Sequence, residues 1–223
     1  MGKRGPMPKH LISEKWTPNL AYAIGLLATD GCLSPPGHLI NLTSKDREQL
    51  ENFSRCIGIS LKIGSKSSGF PGKRILRVQF KNVLFYSFLT SIGLTPAKSK
   101  TIGELKVPKK YFFDFLRGVF DGDGSTYSYW DKRWKASFMF YVCFASASPK
   151  FIYWLQDTIQ KQLHVAGHIS SAEGHSTSQL KYAKQEGFKV LRKMYYSPKV
   201  VCLSRKRLKI MKMLDIVGER LEL

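Results

Sequence analysis

The segment RILRVQFK (74–81) alternates from Leu76 onward: Leu76, Val78 and Phe80 fall on one side, and Arg77, Gln79 and Lys81 on the other. A period of two marks a half-buried strand. HLINLTS (38–44) repeats the pattern, with Asn41 and Thr43 alternating with Ile40 and Leu42. ASFMFYVCFAS (136–146) reads as another strand, and SQLKYAK (178–184), with Lys181 and Lys184, as a weaker one. Between these runs the apolar spacing changes to three and four, predicting amphipathic helices in KDREQLENFSRCIG (45–58) and SPKFIYWLQDTIQKQL (148–163). VLFYSFLTSIG (83–93) and GFKVLRKMYYS (187–197) predict two more helices.

The order helix, strands, helix, strands, helix therefore occurs twice. Ahead of each round lies an apolar helical stretch with a start signal. WTPNLAYAIGLL (16–27) places Thr17 as N-cap and Pro18 in the first turn, and VPKKYFFDFLRGVF (107–120) puts Pro108 in a similar place. The ends of these stretches match in detail. AYAIGLLATDGCL (21–33) and DFLRGVFDGDGST (114–126) align at a constant offset of 93, pairing Gly25 with Gly118, Asp30 with Asp123 and Gly31 with Gly124. The division predicted is a basic arm over 1–16, a first half-domain over 17–105 and a second over 106–223.

Two features of the repeat oppose local stability. Glycine inside a helix costs about 1 kcal/mol relative to alanine. A carboxylate at a helix C-terminus meets the negative end of the dipole, at a cost of a few tenths to about 1 kcal/mol. Both make sense if two helices pack backbone to backbone at Gly25 and Gly118 and bring Asp30 and Asp123 together. Adjacent carboxylates repel unless a cation lies between them, and hard oxygen ligands suit Mg²⁺. Either Asp-Gly alone reads as an ordinary turn; the aligned pair points to a site. An EF-hand reading of DGDGS fails because the twelfth loop position is Lys132, not glutamate.

Charge extends this picture. Lys and Arg number 36 against 16 Asp and Glu, a formal net charge of +20, which suits a polyanionic partner. At 43% hydrophobic the chain can bury a core, yet it has no apolar run long enough for a membrane span. MGKRGPMPKH lacks the apolar centre of a signal peptide and reads either as a phosphate-touching arm or as a disordered start. The scattered Cys32, Cys56, Cys143 and Cys202 form no C-x-x-C pair and predict free thiols in a reducing compartment. His164 and His168 have no cysteine or acidic partner at ligand spacing.

AIGLLATDG (23–31) and LRGVFDGDG (116–124) resemble the two signature motifs of a single-chain LAGLIDADG homing endonuclease, and the resemblance covers nearly the whole chain. It implies an α+β fold of two pseudo-symmetric αββαββα half-domains, with antiparallel saddle-shaped sheets and a central two-helix interface. It also implies a monomer that cuts both strands of a long double-stranded DNA site across the minor groove, leaving short 3′ overhangs. Asp30 and Asp123 would bind Mg²⁺, with Mn²⁺ as substitute and Ca²⁺ supporting binding without cleavage. The carbonyls of Thr29 and Gly122 would help hold metal or water. Ala28 replaces an acid that the second motif keeps as Asp121.

By the same resemblance, Lys98 in GLTPAKSKT is the first catalytic lysine. Its counterpart in VCLSRKRLK is Lys206, with Arg205 one position away. Ser44 and Ser146, after the first strand pair of each half, are placed either to position water or to cap the following helix. Asn41, Thr43, Arg74, Arg77, Gln79 and Lys81 are the DNA-contact candidates of the first half; Lys181 and Lys184 are those of the second. YSYWDKRWKAS (127–137) predicts an extended hairpin with Lys132 and Arg133 at its tip, braced by Tyr129, Trp130 and Trp134 or stacking them on the DNA backbone.

An intron maturase, binding intron RNA without cleavage, is the alternative reading. The E-x-K tripeptide Glu104–Lys106 is a weaker pointer to a restriction-type nuclease. The absence of flanking splicing-domain sequence disfavours an intein.

Overall fold

The computed structural model describes residues 9–67, 72, 74–134, 137–171 and 176–221. Helices α1 (Pro18–Thr29) and α4 (Phe112–Asp123) lie against each other at the centre. Thr17 caps α1, its hydroxyl accepting from the Leu20 N–H at 3.0 Å. Residues Leu20–Ala28 are all buried, so this helix is apolar on every side, as expected of one packed all round. The glycine pair explains the closeness. A Cβ on Gly25 would stand 2.8 Å from the Gly118 Cα, and one on Gly118 would run into the Tyr22 carbonyl oxygen.

Each central helix feeds a four-stranded antiparallel sheet. The first half continues β1 (Gly31–Ser34), β2 (Leu39–Ser44), α2 (Arg47–Cys56), β3 (Gly64–Ser67), β4 (Arg74–Lys81) and α3 (Val83–Ser91). The second repeats it as β5 (Gly124–Trp130), β6 (Phe138–Ser146), α5 (Pro149–Leu163), β7 (His168–Ser171), β8 (Ser178–Ala183) and α6 (Lys184–Met194). Strand orders are β1-β2-β4-β3 and β5-β6-β8-β7, the same topology twice. Ile40, Leu42 and Val78 of the first sheet and Val142, Phe144 and Leu180 of the second are buried under the helices. The opposite faces carry the alternate residues, of which Cys143 is buried as well. On the first, Asn41 lies across from Gln79 and Thr43 across from Arg77; on the second, Cys143 lies across from Lys181.

Several details depart from the sequence reading. Helix α4 begins at Phe112 rather than Pro108, because a 3₁₀ turn over Lys109–Tyr111 intervenes. Strands β1, β3 and β7 are four residues each, too short to show periodicity. A further helix, α7 (Ser204–Asp215), follows α6 and has no α-helical counterpart among the described residues of the first half. Of the proposed basic arm, residues 1–8 lie outside the described residues; Ile12 is core and Trp16 packs edge-on against Phe88. Lys184 does not continue β8 but opens α6 at φ +40°, its Nζ donating to Ser137 Oγ. Arg74 donates to Ser65 on β3. Lys132 and Arg133 do lie in the β5–β6 connection, where the Asp131 N–H donates to the Ser137 carbonyl. Trp130 meets Phe138 edge-on and Tyr129 stacks with Tyr141, while Trp134 is exposed.

Replacing Gly118 by alanine drives a methyl group into the Tyr22 carbonyl and forces the central helices apart. We expect a loss of about 1–3 kcal/mol or more, read as a lower denaturant midpoint.

Candidate active site

The C-terminal ends of α1 and α4 meet where Gly122 packs on Thr29, so close that a Cβ at Gly122 would overlap the threonine side chain. Asp30 caps α1 and Asp123 is the last residue of α4, so this contact brings the two carboxylates to one place. Burial pushes both up from the ordinary aspartate value, and the charge of Asp30 raises Asp123 further. That is the signature of acids gathered where a cation would be welcome.

Two lysines supply positive charge. Lys98, in a 3₁₀ turn preceded by Ala97 at φ +52°, is only 5% exposed and donates its Nζ to the Thr29 carbonyl at 3.0 Å. Lys206 reaches from α7 to the end of α4, where its Nζ donates to the Phe120, Asp121 and Gly124 carbonyls at 2.6, 2.9 and 2.7 Å. A longer 3.4 Å contact reaches the Gly122 carbonyl. Each ammonium thus neutralises the negative end of a motif helix and offsets the dipole penalty of the adjacent aspartate. The Thr29 and Gly122 carbonyls, expected to help hold metal or water, each accept from one of these lysines, which leaves a second lone pair on each oxygen. Burial lowers the Lys98 pKa and brings Lys206 down to about 8, against the opposing pull of the acids. The influence is crossed: Lys206 acts more strongly than Lys98 on Asp30, and Lys98 more strongly than Lys206 on Asp123.

The start of α7 is set by both halves. Arg205 forms a bidentate pair with Asp46 at 3.0 and 2.6 Å, which holds that carboxyl below its usual range. The Ser204 N–H donates to Glu48, and Asn52 Nδ2 to the Cys202 carbonyl. Arg205 is therefore committed to Asp46, leaving Lys206 as the basic residue at the acids. From the second half, Asp121 Oδ2 accepts from Tyr22 Oη and the Leu203 N–H, both at 2.7 Å. Arg117, 1% exposed, donates to the Met194 and Val201 carbonyls and to Asp114.

Sequence reasoning missed Gln49, whose Nε2 donates to Asp30 Oδ2 at 2.7 Å. Only its place beside Leu50 and four residues before Phe53, on the core-facing side of the amphipathic α2, could have signalled it. Ser44 and Ser146 are not the N-caps of α2 and α5, which are Asp46 and Ser148; each hydroxyl instead accepts from the N–H of that cap residue. Elsewhere, Glu104–Lys106 lies in the segment between the two half-repeats, on no strand, which removes the restriction-type reading. His164 ends α5 and His168 lies on β7.

Among the described residues no group of three or more His, Cys, Asp or Glu could hold a metal ion. Two carboxylates nonetheless fit Mg²⁺, which takes one or two acids, keeps waters and accepts phosphate oxygens. No described helix is long and apolar enough to cross a membrane.

No protein-family model matches the sequence, and no curated protein matches it significantly. Solved structures do. The homing endonuclease I-WcaI bound to its DNA recognition sequence superposes with a TM-score of 0.60 at 11% identity, covering 91% of this chain and 88% of that one. The I-LtrWI LAGLIDADG homing endonuclease bound to target DNA gives 0.59 at 12%, covering 90% and 91%. The chain has the LAGLIDADG fold. Full-length DUF199/WhiA from Thermatoga maritima is also similar, with a TM-score of 0.57 at 11% identity. That match covers 92% of this chain but spans only 62% of WhiA.

Asp121 gives the fold a pH dependence. Burial raises its carboxyl to about 6, so the folded state holds its proton more tightly than the unfolded chain does. Its stability contribution is full below the unfolded value near 3.8 and is lost as pH rises through about 6. Asp121→Asn should flatten stability across that window, by about 3 kcal/mol at most, in denaturant titrations at pH 4 and pH 7.

Proposed function

We propose that the chain is a site-specific DNA endonuclease of the LAGLIDADG homing type, working as a monomer on an intron-homing target. The observation that supports this best is the pair of acids at touching helix ends, each within reach of a buried lysine. The reaction is hydrolysis of one phosphodiester in each strand. Asp30 and Asp123 are the metal-holding residues, with Mg²⁺ as the natural ion, Mn²⁺ as substitute and Ca²⁺ supporting binding alone. A divalent ion there lowers the pKa of a bound water and stabilises the leaving oxygen. Lys98 and Lys206, held rigidly by helix-end carbonyls, present positive charge to the phosphate as negative charge builds on it.

The sheet faces turned away from the helices carry the DNA contacts. Asn41, Thr43, Arg77, Gln79 and Lys81 line the first and Lys181 serves the second; Arg74, a further contact candidate, falls by alternation on the Leu76 side of β4 and donates to Ser65 instead. Lys132, Arg133 and Lys184 extend that contact around the β5–β6 hairpin. Asn and Gln suit adenine edges and Arg suits guanine. The net charge of +20 supplies sequence-independent attraction. The proposed halves are 17–105 and 106–223.

Cleavage targets selected from randomised duplex DNA with Mg²⁺ test the reading. Wild type should give double-strand breaks with 3′ overhangs, and Asp30→Asn and Asp123→Asn should bind the same site without such breaks. Lys98→Met and Lys206→Met should slow cleavage on the order of 10²-fold. A wild type that binds duplex DNA but never cuts it with Mg²⁺ or Mn²⁺ removes the nuclease reading and leaves the RNA-binding maturase as the next ligand test.

A further inference from the structure

The two acids are held differently. Asp30 sits at the end of a chain of hydrogen bonds that begins at the entrance to α2. The Asp46 N–H donates to Ser44 Oγ, Ser44 Oγ donates to Gln49 Oε1 at 3.0 Å, and Gln49 Nε2 donates to Asp30 Oδ2 at 2.7 Å. Ser44 and Gln49 are 7% and 2% exposed, so little water competes for these bonds. The carboxylate, an acceptor only, fixes the sense of the amide: the NH₂ faces Asp30 and the amide oxygen is anchored by the serine hydroxyl. Oδ2 is thereby committed and Oδ1 left free.

The second half has the serine but not the chain. Ser146 accepts from the Ser148 N–H as Ser44 does from Asp46, yet the residue five positions on is Phe151, a core side chain. Among the described residues no hydrogen bond reaches the Asp123 carboxylate. Asp123 is oriented by its backbone alone, and Asp30 by its backbone and a buried amide.

We propose that Gln49 is a positioning residue for Asp30 alone, making the two cutting centres inequivalent, so that its loss turns a double-strand cutter into a strand-selective nicking enzyme. The inference rests on the nuclease reading above. Hydrogen-bond partners of a metal-holding carboxylate set its rotamer and basicity, and their removal typically costs roughly 10- to 100-fold in metal affinity or activity. That loss falls on one strand, because the Asp123 centre contains no part of the chain.

The test is cleavage of the selected target carrying a different label on each strand, by wild type, Gln49→Leu and Ser44→Ala. Leucine keeps the bulk and removes the donor. Gln49→Leu should slow one strand roughly 10- to 100-fold, leave the other within about twofold and accumulate nicked duplex. Ser44→Ala, which frees the amide to rotate, should slow the same strand by less and covers the case in which the leucine variant does not fold. Equal slowing of both strands, or no slowing, overturns the proposal; a merely structural role would produce the first.

A readout without cleavage separates this inference from the nuclease reading. Mn²⁺ bound by the protein–DNA complex is counted by electron paramagnetic resonance. If wild type never cuts, the nuclease reading falls. Weakened binding of one Mn²⁺ equivalent in Gln49→Leu, with the other unchanged, still supports the role of Gln49. Unchanged or equally weakened equivalents refute it.

Discussion

Everything at the candidate site depends on how closely α1 and α4 approach. With no side chain at Gly25 or Gly118, backbone meets backbone, and a single methyl group at either position would collide with a carbonyl or a Cα of the opposite helix. That approach carries the helix ends into contact at Thr29 and Gly122 and so sets the separation of Asp30 and Asp123. The cost of glycine in a helix interior is accepted because a side chain there would hold the helices, and with them the two acids, farther apart.

Gathering two carboxylates at the negative ends of two helices is unfavourable twice over, and the rest of the architecture offsets it. Lys98 and Lys206 place their ammonium groups on the helix-end carbonyls, as a C-cap would, while remaining within electrostatic reach of both acids. Their burial is costly, which is why both have lowered pKa values. It also fixes them. Lys206 arrives on a helix whose first turn is bound to α2 through Asp46 and Glu48 and to α4 through Asp121, so residues of both half-domains position it.

The pseudo-symmetry is tight in the backbone and loose in the side chains. Strand order, register and helix placement repeat, yet Ala28 stands against Asp121, Gln49 against Phe151, and a polar first sheet face against a second rich in tyrosine, with Tyr127 and Tyr141 stacked at 4.7 Å. A fused repeat needs only its packing positions to stay alike. The residues outside those packing positions are free to diverge.

The sequence by itself determined the repeat, the two acids, the paired glycines and the alternating strands. Each of these is written in local spacing: periods of two and of three to four, a constant offset, a helix ending in Asp-Gly. It also marked Lys98 and Lys206, though only through family resemblance. It gave no sign of α7 as a separate helix, because SRKRLKIMKMLD is dominated by charge and its apolar stripe is narrow. It placed α4 too early at Pro108, since proline fits a 3₁₀ turn as well as a first helical turn. Only the tertiary structure decided that Arg205 belongs to Asp46 and Lys206 to the acids, that the Thr29 and Gly122 carbonyls serve the lysines, and that Gln49 holds Asp30. These are contacts between residues 19 to 159 positions apart, and spacing along the chain carries no record of which side chains folding brings within hydrogen-bond distance.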